Sequence, residues 1–120
     1  MIPDICLIEA AYPIFRAKGA HELTKYATFV NNLPVAPGVK LYKTTPEDLS
    51  EAMTLISSHS ELFIDVEGNL GLFDALIASI WLRTKMPLVT KDVNLIKLSE
   101  MREELKEKVI VLEKSARYAR

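Results

Sequence analysis

Apolar positions divide this chain into helical and extended stretches. Ile5, Ile8, Tyr12 and Phe15 fall three or four apart, one face of a helix. Pro3 suits the first turn of that helix and Gly19 its end, so it is predicted over Pro3 to about Lys18. Inside it, Pro13 lacks the N–H that would bond the Glu9 carbonyl, and a kink is expected there. A second helix is predicted over about Ala20 to Asn32. The stretch Leu33 to Gly38, with Pro34 and Pro37, is a turn-rich connection. Val39 to Lys43 reads as a strand. Thr45 as N-cap and Pro46 at the first position open a helix to about Ser58. Leu62 to Asp65 reads as a short strand ending in an acid, and Glu67 to Asn69 as a turn. A nearly all-apolar helix runs from Asp74 to about Lys85, and Leu88 to Thr90 is a strand. Leu95 to Lys108 is predicted helical, with i,i+4 pairs such as Glu104 and Lys108, and Val109 to Leu112 is the last strand.

Strands separated by helices predict an α/β fold, a parallel sheet with helices on both faces. The length, 120 residues, suits one domain. A hydrophobic share of 49% is enough for a real core. The formal net charge of −1 provides no global basic field, which argues against a simple nucleic-acid-binding module but not against a nuclease whose acids are neutralised by metal. A lone cysteine, Cys6, rules out an internal disulfide, suits a reducing cytoplasm and is expected to pack in the first helix. No run reaches the length of a membrane span and no basic-then-apolar leader precedes the first helix, so a cytoplasmic protein is expected.

The chemistry gathers around two acids. Asp74 opens an apolar helix, and Asp92 follows the next strand. A helix and the strand after it run antiparallel, so the start of the one and the end of the other share an edge. Ligands of open α/β sheets bind at the carboxyl ends of strands. Two acids eighteen positions apart in sequence therefore meet in space, and closely placed carboxylates call for a proton or a cation between them. Hard cations such as Mg²⁺ and Mn²⁺ take such ligands.

The segments Asp74-Ala-Leu-Ile-Ala-Ser and Val89-Thr-Lys-Asp92, at this spacing, resemble the second half of a PIN domain, the metal-dependent nuclease fold of VapC-type toxins. The resemblance extends to Glu9, a single acid in an early apolar helix. It implies a three-layer α/β/α fold with a mainly parallel central sheet, and Mg²⁺ or Mn²⁺ held by Glu9, Asp74 and Asp92. It also implies an RNA substrate, an antitoxin protein as inhibitor, and a homodimer. The bland alternative for Glu9 is a surface residue of an amphipathic helix.

The family begins with a strand ending in a further metal-binding Asp, some tens of residues before the Glu. Only eight residues precede Glu9, and Asp4 is too close to it to be that acid. The chain is therefore expected to be N-terminally incomplete relative to the family, degenerate and non-catalytic, or served by another acid. Asp65 is the candidate for the last; otherwise it is a loop residue beside a turn. Thr90 either bonds a metal-bound water or an acid ligand, or simply ends a strand. Asn94 either stands near the site or caps the following helix. His21 and His59 form no metal-ligand spacing and read as surface residues. Trp81 reads as core or dimer interface. The basic and aromatic end, Lys114 to Arg120, reads as a solvated tail with RNA phosphate as the alternative. A phosphate-dependent response module would need an acidic pair after its first strand and a later Lys, which are missing here.

Overall fold

In the computed structural model residues 1–112 are described, and they fall into two units, Met1–Pro46 and a second from Glu47 onward. The tail Lys114 to Arg120 lies outside the described residues.

The first unit runs β1 (Ile2–Pro3), α1 (Asp4–Lys18), α2 (Glu22–Asn32), a 3₁₀ turn (Leu33–Val35) and β2 (Leu41–Tyr42). Pro3 stands before α1 with φ −66°, the value its ring imposes. Gly19 ends α1 at φ +84°, left-handed backbone that favours glycine, with its N–H donating to the Phe15 carbonyl at 2.8 Å. β1 and β2 pair in parallel, Ile2 beside Leu41 and Pro3 beside Tyr42. Asp4 fastens that pair: both its carboxylate oxygens accept from the Thr44 N–H, at 3.2 and 3.1 Å, and one accepts the Thr44 hydroxyl. The Tyr26 hydroxyl donates to the Leu7 carbonyl at 2.7 Å and ties α2 to α1.

The expected buried face of α1 is corrected. Of its four residues only Ile5 is buried; Ile8, Tyr12 and Phe15 are 55%, 55% and 51% exposed. The half-buried stripe is Leu7, Ala11 and Ile14, about 100° round the helix. Apolar residues cover most of this helix, and the Leu7–Tyr26 bond turns the 7–11–14 stripe inward.

The second unit holds α3 (Pro46–Ser58), α4 (Ser60–Phe63), α5 (Leu72–Thr84), β3 (Leu88–Thr90), α6 (Val93–Met101), a 3₁₀ turn (Glu103–Leu105) and β4 (Val109–Val111). β3 and β4 pair in parallel with Leu88 beside Val109 and Thr90 beside Val111, as a strand–helix–strand unit requires. α5 is the core element: Ala75, Leu76, Ala78, Ser79, Ile80 and Trp81 are all buried, and Leu55, Phe63, Leu95 and Leu98 of the same unit are buried too. Trp81, 3% exposed, is therefore core.

One buried charge stands in this core. Asp48, in the first turn of α3, is 0% exposed and accepts from Arg83 Nε at 2.8 Å. Arg83 also reaches the exposed Glu47 and Glu51, at 3.4 and 3.1 Å. The Ser79 hydroxyl lies 2.8 Å from the Leu76 carbonyl of its own helix and 3.1 Å from the Asp48 carbonyl.

Two further elements differ from expectation. Leu62 to Asp65 is not a strand: α4 ends at Phe63, and Ile64 makes only a single antiparallel bridge to Leu70. Asp65 causes the reversal, because its carboxylate accepts from the Glu67 and Asn69 N–H groups at 2.9 and 2.8 Å and from Asn69 Nδ2 at 3.0 Å. The predicted helix over Leu95 to Lys108 starts earlier and stops at Met101. Arg102 is extended (φ −116°, ψ 116°), and the 3₁₀ turn that follows buries Leu105 fully. Glu104 pairs with Arg102 at 3.2 Å in place of Lys108.

The chain is thus a helix-rich mixed α/β protein. Among the described residues its four strands form two separate two-stranded parallel sheets, not one central sheet.

Candidate functional site

Asp74 lies in the first turn of α5, half-buried. The residue before the helix is Gly71, whose N–H donates to the Phe63 carbonyl at 2.7 Å. A Cβ on Gly71 would meet that carbonyl oxygen at 3.2 Å and Asp74 Oδ2 at 3.7 Å, so a bare backbone lets the start of α5 close against the end of α4.

Asp92 is placed by turn chemistry at the end of β3. Its N–H donates to the Thr90 hydroxyl at 3.0 Å, and its Oδ1 accepts from the Asn94 and Leu95 N–H groups at 2.8 and 3.2 Å, capping α6. Thr90 therefore holds an acid in place. Asn94 is not the cap; Asp92 takes that place, two residues earlier.

Asp74 feels the Asp92 charge. Burial pushes the Asp74 carboxyl above its ordinary range, and the Asp92 charge pushes it further. Among the described residues no hydrogen bond or ion pair reaches the Asp74 carboxylate. Asp74 and Asn94 line a cleft of about 310 Å³, with Glu61, Asp65 and Asn69 on its other side.

Asp65 lines the same cleft, but its oxygens are bonded within its own turn. The bonds from the Asn69 main chain and side chain hold its carboxyl below the usual range. Replacing Asp65 with Ala is expected to speed amide hydrogen exchange at Glu67 and Asn69 while Leu72 to Thr84 stay protected. Unchanged exchange at both amides would show that the turn holds without the carboxylate.

Glu9 lies half-buried on α1 of the first unit, one turn before Pro13. Burial raises the Cys6 thiol, and Glu9 and Asp4 raise it further. Cys6 itself is half-buried, not fully packed. Among the described residues no group of three or more His, Cys, Asp or Glu side chains is gathered so as to hold a metal ion. His21 is exposed, as expected. His59 is not a surface residue: its side chain is 14% exposed, because it fills the junction of α3 and α4 beside Glu61 at 4.0 Å.

Sequence reasoning passed over Gly71, Asp48 and Arg83. The available signal for the pair was Arg83, a lone cation late in an otherwise apolar helix. Among the described residues no helix is long and apolar enough to cross a membrane. Comparison with family models, with curated proteins and with solved structures gave no match.

Proposed function

We propose that this chain is a metal-dependent ribonuclease of the PIN type, with the three-layer α/β/α architecture of VapC toxins. The observation that carries the reading is the half-buried Asp74 carboxylate lining a cleft, raised by burial and then by the Asp92 charge, and without a donor among the described residues. Two mutually repelling carboxylates with oxygen donors suit a hard divalent cation. Asp74 and Asp92, joined by Glu9, would hold Mg²⁺ or Mn²⁺. Such an ion supplies polarisation of a phosphate and a more acidic bound water. The α6 amides hold Asp92 by Oδ1, the Thr90 hydroxyl accepts from its main-chain N–H, and Oδ2 is left for a ligand. An RNA substrate, an antitoxin partner and a cytoplasmic location belong to the same proposal.

The test is RNA cleavage in Mn²⁺ by the parent chain and by Glu9→Gln, Asp74→Asn and Asp92→Asn. Cleavage by the parent and loss to background in each variant is expected. Robust cleavage surviving all three substitutions would sink the mechanism.

A second reading, a non-catalytic PIN-like interaction protein, is favoured by the exposed stripe Ile8, Tyr12 and Phe15. Under either reading the chain is expected to be a homodimer by light scattering, and Tyr12→Glu to shift it towards monomer. A parent that stays monomeric at high concentration would count against self-association.

A further inference from the structure

The buried Asp48–Arg83 pair is unexplained by the chemistry above. Its place on α5 suggests a purpose. α5 is apolar almost all round, from Leu72 through Leu82, and it is buried on most of its circumference. Hydrophobic burial selects the rotation of a helix only when one stripe is apolar and the opposite face polar. α5 has no such contrast, so burial alone leaves its rotation about its own axis poorly determined. Asp74 needs that rotation fixed, because a turn of one residue position would swing it about 100°.

Two polar contacts select one rotation, with Ser79 packed beside them. Arg83 Nε donates to the fully buried Asp48 and Arg83 Nη2 donates to Glu51; the Ser79 hydroxyl, 2.8 Å from the Leu76 carbonyl of its own helix, lies 3.1 Å from the Asp48 carbonyl. Ser79 and Arg83 are four positions apart and share one face of α5. Nine positions separate Asp74 from Arg83, which at about 100° each sets them on opposite faces. A grip on α3 through one face of α5 therefore directs Asp74 out of the other, into the cleft with Asn94. We infer that Asp48, Ser79 and Arg83 are positioning residues: an orientation key that sets the rotation of α5 and thereby aims Asp74. Buried polar groups select one arrangement among several apolar ones in the same way when a single buried Asn fixes coiled-coil register.

The consequence for metal affinity rests on the nuclease reading; the orientation of α5 does not. The experiment removes the key without leaving a buried charge. Asp48→Leu/Ser79→Ala/Arg83→Met replaces it with apolar groups, a change that is often neutral or stabilising for folding. Residual dipolar couplings of the amides in α5 and α6 report the helix orientations, and calorimetry reports Mn²⁺ binding. Arg83→Lys, which keeps the charge and loses the fork, is the conservative control. The expected result is a folded triple variant whose α5 amides change couplings or broaden while those of α6 hold. Its Mn²⁺ affinity should fall about 10- to 100-fold, the usual cost of losing groups that orient a ligand, with Arg83→Lys between it and the parent. A folded triple variant with parental α5 couplings overturns the key, whatever its metal affinity. A parent that binds no Mn²⁺ sinks the metal reading alone, because the couplings still decide the key. If the triple variant does not fold, the couplings of Ser79→Ala and Arg83→Lys decide in its place, and parental values in both overturn the proposal.

Discussion

Arg83→Met is expected to cost about 3 kcal/mol of stability, the lower end of the range for breaking a buried ion pair. The loss arises at the partner. Asp48 is 0% exposed, so removal of the guanidinium takes the opposite charge from a carboxylate that water cannot reach. The contacts of Arg83 with Glu47 and Glu51 contribute little, because those acids are 79% and 51% exposed and exposed pairs are worth at most about 1 kcal/mol. The lower end of the range applies because Arg83 is itself one-third exposed and not wholly desolvated. Urea unfolding followed by Trp81 fluorescence measures the effect directly: Trp81 is the one tryptophan, is buried, and sits two residues from Arg83. Adding Asp48→Leu to Arg83→Met should recover most of the loss, since an apolar pair leaves no buried charge. A loss below about 1 kcal/mol in the single variant would mean that Asp48 is stabilised without Arg83.

The same residues show where sequence reasoning reaches and where it stops. α5 and β3 were legible because each depends on local order alone, an apolar helix and a short apolar strand; the charge of Asp92 at the end of β3 reaches Asp74 at the start of α5. The buried side of α1 was not legible. Ile5, Leu7, Ile8, Tyr12, Ile14 and Phe15 point in nearly every direction, and bonds to distant residues, Tyr26 to the Leu7 carbonyl and Thr44 to Asp4, hold the helix in ways no local pattern reports. Leu62 to Asp65 failed for another reason. A three-residue apolar run fits a strand or a helical turn equally, and here the side-chain bonds of Asp65 decide. Asp48 stands at a helix start, where an acid is ordinary. Its ion pair with Arg83, thirty-five residues later, is reported by no local pattern. The three-acid set joins Asp74 and Asp92 to Glu9, which the described structure places in a different unit, so its test is chemical.

Asp74→Asn is expected to move stability and metal binding in opposite directions. In the folded protein burial and Asp92 both raise the Asp74 carboxyl, so it binds its proton more tightly than in the unfolded chain. Stability from such a group is fully present below the ordinary carboxylate value of about 4. It is lost as pH rises through the raised value. Above that window the parent carries a half-buried charge that opposes folding, and Asn carries none. One effect works the other way: an anion in the first turn of a helix gains about 0.3–1 kcal/mol from the helix dipole, which Asn forgoes. Burial and the Asp92 charge oppose that gain. Asp74→Asn should therefore unfold at an equal or higher urea concentration than the parent at pH 7, and its advantage should shrink as pH falls towards 4. Added Mn²⁺ should reverse the order. A ligand at 100 times its dissociation constant stabilises the form that binds it by about 2.7 kcal/mol. The parent should gain on that scale and the Asn variant should not. An acid kept only for structure behaves differently: its neutralisation costs stability at pH 7, and Mn²⁺ changes nothing. A parent more stable than Asp74→Asn at pH 7 and unmoved by Mn²⁺ would place Asp74 in that structural class and remove the observation on which the nuclease reading stands.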